Sequence, residues 1–358
     1  MSALVVGGEL VHYEVLGRGR PVILLHGMIG SWRYWVPLLQ RLQQSYRLYA
    51  IDLFGFGDSA HSAPHFGLDA QVDMVQAFMD EMGLPKAAFI GHGVGALVAV
   101  EFARRQPDKA ARLLIVSTPL FDPGGLEKRV PAVRLPIILP PAPPPAPVPA
   151  SPSPPSPTSG ASAAMRAALA EATRARKPGA IDETRSSPPA AVAVAPTTPA
   201  TAPVVPVVPH PTDGTANRNL LAPIASQPLE SLLGRCYRRS DDVYAKLMVD
   251  VAKTAPAAPP ALATGYDSGA LLDILRLLPM PLVAVHGDED PIFPPPPEDI
   301  WNYLTSDSER VFLPILLPGV RHFPMLEDER FYRVAGDFLE MSDLGKIEIR
   351  ERWRRRTR

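Results

Sequence analysis

The 358-residue chain carries 36 Lys and Arg against 37 Asp and Glu, and charged residues make up 20% of it. That balance excludes a global field steering the chain onto nucleic acid or a membrane surface, while the length allows one large or two small domains with a sizeable core. A single cysteine, Cys236, excludes an internal disulfide framework and fits a reducing compartment, so the expected setting is cytoplasmic. The stretch MSALVVGGELVHYEVLG has no basic region followed by an apolar core and does not read as a signal peptide. No uninterrupted apolar run approaches the ~20 residues of a spanning helix, so no transmembrane segment is expected.

In chain order, LVHYEVLG alternates like a half-exposed antiparallel strand, and PVILLHG, YRLYAID, AAFIGH and ARLLIVS are short continuous apolar runs. Between them SWRYWVPLLQRL, LDAQVDMVQAFMDEMG and GALVAVEFARRQ read as helices. Continuous runs separated by amphipathic helices predict a parallel sheet covered on both faces. Composition then changes abruptly: 22 of the 44 prolines fall between Pro131 and Pro211. Proline lacks the N–H and fixes φ, so this segment is expected to be extended or disordered, with at most a transient helix in ASAAMRAALAEATRARK. LESLLGRCYRRSDDVYAKLMVDVAK (229–253) suits short amphipathic helices through Leu232, Leu233, Tyr237, Val243, Leu247 and Val251, interrupted by a Ser-Asp-Asp cap at 240–242. TAPAAPPALATG (254–265) is a second low-complexity patch. The alternation resumes with strand PLVAVHG, helix EDIWNYLTS, strand VFLPILLPG and helix LEDERFYRVAGDFLEM. RERWRRRTR places six arginines around Trp353 at the end and reads as a solvated tail, with acidic lipid or nucleic acid as the alternative partner. The predicted fold class is α/β: a doubly wound, mainly parallel sheet built from 1–130 and 266–341. It is interrupted after its sixth strand by an insert (131–225) and a helical segment (226–265), and followed by a tail (342–358).

Five motifs sit at strand ends. LLHGMIGS (24–31) closes a strand in His-Gly and opens into a loop able to aim backbone N–H groups at a developing oxyanion. IDLFGFGDS (51–59) places an Asp before a glycine-rich turn. GHGVG (91–95) has the shape of a nucleophile elbow, in which a strand turns sharply into a helix. VHGDEDPIFP (285–294) offers a strand-end carboxylate, and GVRHFPMLED (319–328) a histidine just past the last strand. Elbow, acid, histidine is the chain order of an α/β-hydrolase triad.

On these motifs the two body segments resemble the α/β-hydrolase superfamily, in the group of esterases, epoxide hydrolases and haloalkane dehalogenases. The resemblance implies that His322 is the catalytic histidine, although Arg321 stands where glycine is usual. It implies that Asp290, with Pro294 in a D-x-x-x-P spacing, is the acid, with Asp288 a rival by proximity alone. The backbone N–H groups of Met28 and Val94 match the oxyanion hole, and Gly93 occupies the nucleophile position. The insert and the 226–265 helices fall where the superfamily carries its lid. That lid is expected to be reduced, flexibly tethered and a poor seal against water.

The residue types have plainer readings too. His26 suits loop support, Asp52 and Asp58 suit turn and cap roles, and His92 suits packing. Ser31 belongs to a helix start, Ser59 to a cap-like turn and Ser117 to another strand end, so none replaces the missing hydroxyl. Acyl transfer through a covalent intermediate needs a side-chain oxygen, sulfur or carboxylate at the elbow, and glycine has none. No cofactor or metal is implied. The sequence therefore predicts a hydrolase homologue inactive or weak toward esters by the covalent route, with His322 and Asp290 retained as a base pair. The alternatives are a pseudoenzyme binding a small apolar molecule, or an interaction platform using the Pro-rich insert toward a partner the sequence does not identify.

Overall fold

Apolar runs without alternation must be covered on both faces, and they become the centre of an eight-stranded sheet ordered β1-β2-β4-β3-β5-β6-β7-β8. The structure is a computed structural model, and residues 2–124, 126, 219–306 and 312–340 are described. All of these fall within one compact unit. β1 (Ser2–Val6) and β2 (Glu9–Gly17) form an antiparallel hairpin, and β2 runs antiparallel to β4 (Tyr46–Ile51). β3 (Arg20–Leu25), β5 (Ala87–His92), β6 (Ala110–Val116), β7 (Leu282–Gly287) and β8 (Phe312–Leu317) complete the sheet with parallel pairings. The C-terminal ends of β3, β4, β5, β7 and β8 carry the five motifs to one edge, where ligands of open α/β sheets sit.

The covering helices follow from their spacing. α1 (Val36–Leu42) is preceded by a 3₁₀ turn, Trp32–Trp35, capped by Ser31 Oγ accepting from the Arg33 N–H. α2 (Leu68–Glu81) buries Gln71, Val72, Met74, Val75, Phe78 and Met79, a stripe at helical period. α3 (Val94–Arg105) is buried along most of its length against the sheet. After the sixth strand the described chain resumes with α4 (Ala222–Ala225), α5 (Leu229–Cys236), α6 (Asp242–Ala252), α7 (Ala258–Ala263) and α8 (Ser268–Leu277). α9 (Glu298–Thr305), α10 (Pro324–Glu327) and α11 (Glu329–Glu340) finish the unit. None of the described helices is long and apolar enough to cross a membrane.

Residues 127–218, which take in most of the Pro-rich insert (131–225), and 341–358, which take in the tail (342–358), lie outside the described residues. Within 219–265 the structure differs from the loose cover expected. Leu232, Leu233 and Cys236 of α5 and Tyr244 and Leu247 of α6 are buried, and so is Asp250. Asp250 Oδ1 accepts from Arg33 at 3.1 Å, Arg33 also pairs with Asp58 at 2.9 Å, and Lys253 reaches Asp58. These contacts fasten α6 to the loops after β3 and β4. Asp241 stands before α6, as the cap reading expected, but its carboxylate accepts the Arg238 N–H and makes no bond to the helix. α7 forms inside the patch read as low complexity. Its prolines stand in the first turn, where N–H groups have no intrahelical partner, so nothing is lost by their absence.

Candidate active site

Gly93 is the single residue between the end of β5 and the start of α3, held at φ 54° and ψ −118°. Its N–H donates to the Val116 carbonyl of the neighbouring strand at 2.9 Å. The three glycines of GHGVG answer to different constraints. A Cβ on Gly91 would lie 2.6 Å from Ala96 Cα, and one on Gly95 would lie 2.4 Å from the His26 carbonyl oxygen, so both positions are closed by the approach of α3 to the sheet. A Cβ on Gly93 would meet nothing nearer than Gly27 Cα at 3.5 Å and Phe293 Cε2 at 3.6 Å, which is ordinary contact. Position 93 thus has room for a Cβ, and its positive φ is what favours glycine there.

Beside it, His322 Nδ1 lies 2.9 Å from Asp290 Oδ2, and both residues are buried, at 1% and 5% exposure. Asp290 Oδ1 accepts the Ile292 and Phe293 N–H groups at 2.8 and 3.0 Å. Burial pushes the Asp290 carboxyl up, but His322 and those two N–H groups outweigh it and hold the carboxyl below its ordinary range. An ionised Asp290 orients the ring: Nδ1–H donates to Oδ2, and Nε2 points away from the carboxylate. No described residue hydrogen-bonds Nε2. The Phe293 ring, whose Cε2 would lie 3.6 Å from a Cβ at 93, stands 5.3 Å from the His322 ring. Asp288, the rival acid, accepts the Gly319 N–H and serves a turn.

The loop after β3 lies against the elbow through Gly27. The Gly27 N–H donates to the Tyr34 hydroxyl, the hydroxyl donates to His92 Nδ1 at 2.9 Å, and His92 Nε2–H donates to the His322 carbonyl at 2.9 Å. Burial, then the neighbouring His322, hold His92 well below its ordinary value, which keeps it neutral and able to accept at Nδ1. This relay ties the first loop to the histidine loop across the elbow. Among the described residues the Met28 and Val94 N–H groups have no acceptor, the condition an oxyanion donor must meet. Sequence reasoning missed Tyr34, whose role depends on a partner 58 positions away. It also missed Glu327, whose carboxylate accepts the backbone N–H groups of Arg321 at 2.8 Å and Phe323 at 3.4 Å, one on each side of His322.

The remaining motif residues have supporting roles. His26 Nε2 accepts the Leu53 N–H at 3.0 Å and Nδ1 donates to the Gly27 carbonyl at 2.8 Å, holding two loops together. Asp52 accepts from Trp32 N, His12 Nδ1 and Asp58 N. Its ligand atoms, with those of His12 and Asp58, lie within 4.8 Å of one another. The cations Arg33 and Lys253 already neutralise Asp58, so the cluster is a structural node. Ser59 Oγ donates to the Asp52 carbonyl. Ser117 follows β6, is fully buried and has φ 43°, the one positive value for a non-glycine among the described residues.

Comparison with known proteins agrees with this fold. The family model for the alpha/beta hydrolase fold matches residues 20–136. Bifunctional epoxide hydrolase 2 of Rattus norvegicus is 31% identical over 122 residues, 32% of this chain and 22% of that protein. The soluble epoxide hydrolase of Corynebacterium sp. (strain C12) is 33% identical over 111 residues, 31% of this chain and 39% of that protein. The chain thus spans well under half the length of these curated relatives. Among solved structures, a serine-to-glycine mutant of the N-acyl homoserine lactonase AidH, complexed with N-hexanoyl homoserine lactone, superposes with a TM-score of 0.58. It is 16% identical, and the match covers 95% of this chain and 98% of that one. The fold, the order of its elements and these matches together give the chain the α/β-hydrolase fold, with residues 20–136 matching that family's model.

Proposed function

We propose that this chain is an α/β-hydrolase homologue without the covalent route. It binds a small, mainly apolar molecule bearing an acyl group and hydrolyses it slowly, if offered an ester, by direct attack of water. The observation that carries the reading is the buried Asp290–His322 pair, 2.9 Å apart, beside an elbow position that has space but no attacking atom. In this chemistry His322 Nε2 takes a proton from a water as its oxygen adds to the carbonyl carbon. The Met28 and Val94 N–H groups hold the resulting oxyanion. Collapse breaks the bond to the leaving alkoxide, which recovers the proton from His322. Asp290 stabilises the imidazolium between the two transfers. The walls support an apolar ligand: Phe293 stands between His322 and Phe121, and Phe121 in turn faces Tyr266.

A panel of p-nitrophenyl esters tests the reading. Wild type is expected to turn over short esters weakly, with no burst, and His322→Ala to abolish that rate. A burst, or labelling of wild type by a serine-directed phosphonate, would reveal a covalent nucleophile and overturn it. A second reading is binding without turnover, and the lactonase complex favours it. A serine-to-glycine substitution in that relative is compatible with holding an acyl lactone. Ligand-dependent stabilisation without any His322-dependent rate would select that reading.

A further inference from the structure

We propose that Arg321, Tyr237 and Glu327 form a latch that couples the position of the α5 lid helix to the position of His322. Arg321 is the residue immediately before His322, and its guanidinium donates to the Cys236 carbonyl at the C-terminal end of α5. The same guanidinium lies over the Tyr237 ring, 4.7 Å from its centroid, and its Nε faces Glu327 at 3.4 Å. Tyr237 donates its hydroxyl to Glu327 Oε1 at 2.8 Å. Glu327 is therefore shared: two of its bonds fix the peptide units flanking His322, and a third comes from the lid.

The consequence is mechanical. α5 cannot lift from the histidine loop without removing a charge-assisted bond, a guanidinium–ring stack and one donor from the carboxylate that holds His322 in place. Glycine at 321, the residue usual in the superfamily at this point of the motif, would leave the carbonyl of Cys236 and the face of Tyr237 without that partner. Arg321, Tyr237 and Glu327 are thus positioning residues: they act on His322 through the backbone and through the lid. The coupling holds whether or not the site turns over an ester, so its test does not depend on activity.

The chain supplies its own reporter. Cys236 is its single cysteine, fully buried at the end of α5, and burial, then the Asp290 charge, push its thiol up and leave it unreactive while the helix is docked. Alkylation of Cys236 by iodoacetamide therefore reads lid opening. Arg321→Gly is expected to speed alkylation about tenfold or more below the global unfolding transition. Arg321→Lys, which keeps the charge and loses the planar fork, is expected to do nearly the same. In both, the His322 imidazole signals in the NMR spectrum of the unligated protein should shift. Three results would each overturn the latch. One is an unchanged thiol rate in both variants. Another is a rate that rises only in step with global unfolding. The third is an unmoved His322 signature despite an exposed thiol.

Discussion

Replacing Gly93 by serine tests the elbow most directly, and its cost can be set against that of a neighbouring glycine. At 93 the new Cβ would stand 3.5 Å from Gly27 Cα, 3.6 Å from Phe293 Cε2 and 4.0 Å from the Ser117 carbonyl oxygen, so packing contributes little. The backbone is the obstacle. A non-glycine residue held at φ 54° and ψ −118° costs about 1–3 kcal/mol, offset by about 0.4–1 kcal/mol of lost unfolded-state freedom. The expected net loss is about 1–2 kcal/mol, a fall in Tm of roughly 2–8 °C for a unit of this size. Gly95→Ala reverses the balance. Its helical backbone suits alanine, but the Cβ would be driven to 2.4 and 2.5 Å from two carbonyl oxygens of the β3 end, costing about 3 kcal/mol or more. Urea unfolding of the two variants measures the difference, and phosphonate labelling followed by mass spectrometry shows whether Ser at 93 is activated by His322. Equal destabilisation of the two variants would show that position 93 has no room. A folded, unlabelled Gly93→Ser protein would show that His322 and the N–H pair do not serve that position.

Acid should unfold the protein through buried imidazoles. Burial pushes His286 down to about 4 from 6.5 and lowers His26 and His92 as well. Between those pH values the unfolded chain takes up protons that the native state refuses, so stability falls as pH drops through 6.5 and continues to fall to about 4. His286 alone contributes a loss of about 3 kcal/mol over that window, and urea midpoints measured across it for wild type and His286→Asn should converge as pH falls. Parallel curves would refute the assignment. Tyr34→Phe should cost about 2–4 kcal/mol in urea unfolding, since it strands the Gly27 N–H and His92 Nδ1 in the interior. A change below about 0.5 kcal/mol would mean the relay is not a support.

What the sequence disclosed divides along physical lines. Strand runs and α2 were legible because burial on one or two faces writes itself as periodicity within a dozen residues. Asp290 and His322 were legible because each ends a strand in a recognisable local turn. The hairpin strand β1 was missed, being short and half-exposed. α7 was misread because prolines that break a helix interior are harmless in its first turn. The docking of α5 and α6 was illegible for a different reason. It rests on Arg33 with Asp250, 217 positions apart, and on Arg321 with Cys236, 85 apart, and no local pattern marks such pairs.

Those long-range contacts also explain how the site holds its geometry with glycine at 93. Asp290 is held by the N–H groups of Ile292 and Phe293, His322 by Glu327 on either side and by His92 beneath, and the first loop by Tyr34. None of these bonds involves a side chain at 93. Glycine there relieves the strain of the elbow, while its backbone still bonds Val116 and starts α3. Selection for stability alone would therefore not restore a nucleophile at 93, and it would not dismantle the rest of the site. The chemistry left to such a site is whatever a positioned imidazole, an ionised carboxylate and two backbone donors can do to a bound acyl group and a water. On the proposed reading that set serves binding and slow general-base attack rather than an acyl-enzyme.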